Sequence, residues 1–111
     1  MASVFDVHDK DGTPISLSEA TWHRHIKARH PEVEPYLEEI EEVIRNPQMI
    51  IKSSKSLIYS RLGACGEPPF DQLYLNVVVR IHGFPEVSGR VVTAHFSNMP
   101  LVGELKWMQM P

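Results

Sequence analysis

The apolar residues of this 111-residue chain change their period once, near Asn46-Pro47, and that change limits the folds open to it. Before it, Val33, Tyr36, Leu37, Ile40, Val43 and Ile44 recur at the three-to-four spacing of one helical face. Six glutamates (Glu32, Glu34, Glu38, Glu39, Glu41 and Glu42) fill the opposite face, and Asn46-Pro47 ends the helix. After it the period is two. Residues 49–51 and 57–61 read as strands joined by a Ser-Ser-Lys-Ser turn. Residues 73–81 form the longest strand and 90–96 another, and 105–108 add an edge strand. Residues 63–71 read as a loop and 82–89 as a turn. On residues 90–96, alternation sets Val92, Ala94 and Phe96 against Val91, Thr93 and His95.

Upstream, residues 4–17 read as a short hairpin around the turn signal Asp11-Gly12. Ser16 or Ser18 then caps a helix that carries Glu19 in its first turn and runs to about Arg29. Pro31 drives His30 out of the helical region. The expected fold is therefore α+β: N-terminal helices packed on one face of a four- to five-stranded antiparallel sheet. At this length one domain, residues 1–111, is expected.

Composition narrows the function classes. No apolar run approaches the roughly 20 residues of a membrane helix. The N-terminus has no basic, apolar leader pattern, and Cys65 is the only cysteine. A cytoplasmic protein without disulfides, thiolate metal sites or a membrane partner is expected. The net charge of −3 hides an uneven distribution. Outside residues 32–45 the chain has ten basic and eight acidic groups and all six histidines. Between Glu42 and Glu67 there is no acid, only Arg45, Lys52, Lys55 and Arg61. A locally basic surface on an acidic protein is one reading of this pattern, and scattered solvated charge is the other.

Chemistry-bearing residues are densest in Trp22-His23-Arg24-His25-Ile26-Lys27-Ala28-Arg29-His30. Trp22, Ile26 and His30 form one drifting stripe, His23 and His30 share a side, and His25 neighbours Arg29. Imidazoles suit proton transfer near neutrality, although the same histidines could be surface or boundary groups. A metal site would need His23, His25 and His30 together, but residues two apart on a helix diverge by about 200°. No metal or cofactor is expected. On the strands, Tyr59 shares a face with Arg61, and Thr93 shares one with His95. Two proton-transferring groups, a bidentate arginine and a hydroxyl are sufficient for cleaving a phosphodiester by its own 2′-hydroxyl.

These residues fall in an order that resembles a known family. Trp22-x-x-His25-Ile26-x-x-x-His30-Pro31-Glu32 precedes Ile44-x-Asn46-Pro47-x-x-Ile50. Tyr59-x-Arg61, Tyr74-Leu75-x-Val77-Val78-Val79 and Val91-Val92-Thr93-Ala94 follow. The pattern resembles the phage- and mobile-element-associated branch of the barnase/EndoU/colicin/RelE-like (BECR) nuclease superfamily, over roughly residues 17 to 107. The resemblance implies a helix-then-sheet fold and metal-independent, toxin-like ribonuclease activity, with RNA as substrate and an immunity or antitoxin protein as a further partner. Carried over by position, it implies catalytic roles for His25, His30, Arg61 and Thr93. His95 stands where an aromatic is usual after Thr-Ala, and it joins the catalytic candidates. Lys52, Lys55 and Tyr59 are the candidate substrate contacts. The alternative is a non-catalytic RNA- or protein-binding module, for which the glutamate-rich helix and the Trp107, Met108 and Met110 tail would serve a partner.

Overall fold

The computed structural model describes residues 2–83 and 86–110. In chain order, β1 (Ser3–His8) and β2 (Pro14–Ser18) precede the helical segments. After them come β3 (Met49–Ser53), β4 (Ser56–Leu62), β5 (Tyr74–His82), β6 (Ser88–Ser97) and β7 (Glu104–Met108). All seven lie in one mixed sheet of order β1-β2-β6-β5-β4-β3-β7. The expected four- to five-stranded antiparallel sheet behind N-terminal helices is thus corrected. The sheet has seven strands, the first two of them contributed by the hairpin before the helices, and one pairing is parallel. The hairpin predicted over residues 4–17 forms as β1 and β2, but it is not a separate flap. Its second strand docks parallel on β6 through Ile15 with Gly89 and Ser16 with Arg90. Residue alternation marks each strand but not its distant neighbour, so this docking could not be read from the pattern. The turn expected over residues 82–89 includes Phe84 and Pro85, which lie outside the described residues.

The helices are shorter and less regular than their periodicity suggests. Residues 19–29 form one helix, the histidine helix, whose middle turn, Trp22–Ile26, is π-type. Ser18 caps it: its hydroxyl accepts the Thr21 N–H at 3.1 Å. The Lys27 N–H reaches the Trp22 carbonyl, one residue beyond the α-helical partner. This wide turn buries Trp22 and Ile26 against the sheet and leaves His23, Arg24 and His25 exposed. The helix ends at His30 (φ −134°, ψ 66°), as Pro31 requires. Pro31–Tyr36 forms 3₁₀ turns, since Pro35 has no N–H to contribute to an α-helical ladder. Only Leu37–Arg45, the glutamate helix, is regular. Among the described residues, no helix is long and apolar enough to cross a membrane.

Both helices cover one face of the sheet. Trp22, Ile26, Val33, Ile40, Val43 and Ile44 pack on Leu75, Val77, Val79, Val91 and Ala94. Phe5, Val7, Ile15 and Leu17 of the N-terminal hairpin belong to the same core. On the other face, Met49, Ile51 and Ile58 form a smaller cluster with Leu101. Beside it Asn76, fully buried, accepts from the Ser60 hydroxyl at 2.8 Å and donates to Ser97 Oγ at 2.8 Å. The alternation expected on residues 90–96 is broken. The β5–β6 register shifts between Val78 with Thr93 and Val79 with Val91. Val92 is the extra residue of this β-bulge and stays exposed, whereas Val91 turns into the core.

The sheet's centre is tied to its first turn by a buried polar contact. Asp9 is buried beneath the β1–β2 turn, and its Oδ1 accepts the N–H groups of Asp11 and Thr13, each at 2.9 Å. Its Oδ2 accepts the hydroxyl of Tyr59 on β4 at 2.6 Å. Tyr59→Phe removes one of three donors from a buried carboxylate, and that should cost about 1–3 kcal/mol. Urea unfolding should show a lower midpoint at unchanged slope. An unchanged midpoint would mean that this hydrogen bond contributes nothing net.

Candidate functional site

β2 accompanies β6 for only two residue pairs, then parts from it, still paired with β1, and enters the histidine helix. A fork opens between the helix and the unpaired edge of β6. It holds a cleft of about 800 Å³. The helix contributes His25, Arg29 and His30, while β5 contributes Arg80 and β6 contributes Arg90, Thr93 and His95. Ser16, Ser18 and Thr21 supply hydroxyls at the wall. Among the described residues, no aspartate or glutamate lines this cleft. Three guanidinium groups and three imidazoles therefore face one space without a lining carboxylate, an arrangement that favours an anion.

His30 and His95 meet across the fork. Their rings stack with centroids 5.3 Å apart and planes 30° apart. Behind them, Glu32 Oε1 lies 3.5 Å from His30 Nδ1 and biases that ring's orientation. Burial pushes the His95 imidazole below its ordinary value, the neighbouring His30 adds to that, and Glu32 opposes it. His95 is accordingly neutral at pH 7, with a ring nitrogen free to take a proton. A neutral imidazole is of a kind suited to general-base work.

Four of the residues singled out in the sequence, His25, His30, Thr93 and His95, come together here. The others lie elsewhere. Arg61 sits on β4, two strands from β6, and donates to the Asn46 carbonyl at 3.1 Å, closing the end of the glutamate helix. Lys52 and Lys55 are exposed at the β3–β4 turn and do not line the cleft. Tyr59 is fully buried and cannot stack on a ligand. Burial and the Asp9 carboxylate hold its hydroxyl protonated. His23 does not line the cleft, and its Nδ1 accepts from Lys27 Nζ at 3.4 Å.

Sequence reasoning missed the arginines as site residues. Arg29 was visible only as a neighbour of His25. Arg80 and Arg90 stand directly opposite each other on β5 and β6. A signal existed, because residues equidistant from the turn between two antiparallel strands pair with each other. Among the described residues, no group of three His, Cys, Asp or Glu side chains is placed to hold a metal ion. Cys65 is buried, and burial, with Glu39 and Glu67 nearby, pushes its thiol up to about 12. Such a thiol is a poor nucleophile.

No family model matches this chain, and neither a curated protein nor a solved structure shows significant similarity to it.

The lowered His95 value has a consequence for stability. A group with a depressed value in the folded state stabilises the fold above its unfolded value, near 6.5 for imidazole, and that contribution is lost as pH falls through the folded value. His95→Gln should remove this dependence. Wild-type stability should thus fall relative to the variant as pH drops from about 7 to 5. Parallel pH–stability curves for the two proteins would contradict the half-buried, neutral His95.

Proposed function

We propose that the forked cleft binds single-stranded RNA and cleaves it as a metal-independent endoribonuclease. The observation that supports this most is the convergence of His25, His30, His95, Arg29 and Thr93 on one cleft with no acidic lining residue among those described. In this reading His95, being neutral, takes the proton of a 2′-hydroxyl. The 2′-oxygen bonds to the adjacent phosphorus, and charge builds on the non-bridging oxygens. Arg29 clamps those oxygens, and Thr93 donates one further hydrogen bond. His25 or His30 gives a proton to the 5′-oxygen as its bond to phosphorus breaks. A 2′,3′-cyclic phosphate and a free 5′-hydroxyl result. The motif order that resembles the BECR nucleases is a further reason to test RNA first, although its strand arginine, Arg61, lies outside the cleft and is given no part in the reaction. A second reading keeps the cleft but not the chemistry: Arg29, Arg80 and Arg90 could hold a phosphodiester with the histidines serving only as donors.

The test is incubation of the pure protein with a single-stranded RNA in EDTA. Wild type should cleave it, and His95→Gln and the double variant His25→Ala/His30→Ala should each lose at least about 100-fold. Arg61→Ala should cleave as the wild type does. Activity abolished by EDTA would overturn the metal-independent form of the proposal. Equal cleavage by all the variants would place the reaction elsewhere, and tight binding without cleavage would favour the binding-module reading.

A further inference from the structure

The cleft is longer than one phosphate. His95 and Arg90 are five positions apart on β6, roughly 15 Å along a strand that rises about 3.3 Å per residue. A phosphate group hydrogen-bonds within only about 3 Å of its oxygens. His30 stacks on His95 at one end, with Arg29 next to His30 in the chain, whereas Arg80 and Arg90 pair five positions away along β6, so their guanidiniums are surplus to a single phosphate held at the histidines.

Their placement is costly without a ligand. Arg80 and Arg90 are directly opposite partners in the β5–β6 ladder, where like charges destabilise a sheet. Both are exposed, and neither forms an ion pair with a carboxylate among the described residues. Arg90 is further oriented by His82, whose Nε2 lies 3.2 Å from Arg90 Nη2 and accepts from it when the ring is neutral. Ser16 of β2 pairs beside Arg90 and adds a hydroxyl at the same end of the cleft. An anion bridging the two guanidiniums would remove the repulsion and receive several charge-assisted hydrogen bonds.

We propose that Arg80 and Arg90, with His82 holding Arg90 in place, form a second phosphate-binding subsite that engages the RNA backbone at a phosphate away from the one that reacts. The inference rests on the RNA reading of the cleft and adds a substrate class to it: single-stranded oligonucleotides of several residues, in preference to a dinucleotide. The subsite binds backbone and reads no base, so its contribution is independent of sequence.

The test measures both binding and cleavage, for a dinucleotide with one phosphodiester and for a single-stranded RNA ten nucleotides long. Wild type should favour the longer RNA in kcat/KM. Arg80→Gln and Arg90→Gln should each reduce that preference by roughly fivefold, the upper range for an exposed charge pair. Each should also reduce the salt dependence of binding to the longer RNA by about 0.7 in log–log slope, the loss of one phosphate contact to a single strand. Lys52→Gln, an exposed lysine outside the cleft, is the control for general charge loss, and thermal melts establish that all the variants fold. Cleavage with an unaltered length preference and salt slope in both arginine variants would overturn the subsite and leave the ribonuclease reading standing. Reduced salt slopes in a protein that cleaves nothing would support the subsite and sink the catalytic reading.

Discussion

The short parallel contact between β2 and β6 holds the N-terminal hairpin against the rest of the sheet, and the cleft exists because that contact is short. Gly89 makes it possible. A Cβ there would meet Val79 Cγ1 at 2.6 Å, Ile81 Cδ1 at 3.0 Å and Ile15 Cγ1 at 3.3 Å. No larger residue fits without displacing side chains on both neighbouring strands, β5 and β2. Two pairs later Ser18 caps the histidine helix, so the chain leaves the sheet while β6 continues for several more residues. An exposed strand edge is a liability unless it is covered or charged. Here the helix lies across the fork, and the space left between helix and edge is lined by arginine, histidine and hydroxyl groups.

The Asp9–Tyr59 hydrogen bond closes the other side of this arrangement. It joins the first turn of the chain to β4, an interior strand of the sheet, 50 residues away. Lys10, next to Asp9, lies 4.5 Å over the ring of Trp107 on the edge strand β7. The hairpin that frames the cleft on β2 is thus anchored through its turn to β4 and β7. Side chains far from the cleft fix the position of Ser16 and Ser18 in its wall.

Local elements were legible in the sequence where one physical rule dominated. The Asp11-Gly12 turn, the Ser18 cap, the stop at Pro31 and the amphipathic face from Ile40 to Ile44 each depend on neighbours within a few residues. What escaped was set by distant contacts. The alternating pattern of β2 is the same whether the hairpin stands alone or joins a sheet, so the strand count came out low. Tyr59 looked like an exposed aromatic partner of Arg61 because its buried acceptor, Asp9, lies so far upstream. The histidine and threonine half of the cleft was recoverable because its residues crowd two short segments. The arginine half was not, because Arg80 and Arg90 meet only through strand register.

Two departures from regular backbone geometry both border the cleft. The π-type turn from Trp22 to Ile26 carries His25, and the bulge at Val92 separates Arg90 from Thr93 and His95. Each departure has a hydrophobic justification, since the turn keeps Trp22 and Ile26 buried together and the bulge turns Val91 into the core. Each also re-aims a polar side chain. Without the wide turn, His25 would lie rotated about the helix relative to its present direction. Without the bulge, Val91 would share the face of Thr93 and His95. Regular elements would satisfy the core at lower conformational cost, and locally irregular backbone in natural proteins concentrates where side chains must be directed at a ligand. That both irregularities flank one basic, histidine-lined fork is an argument, separate from its charge, for placing the molecule's chemistry there.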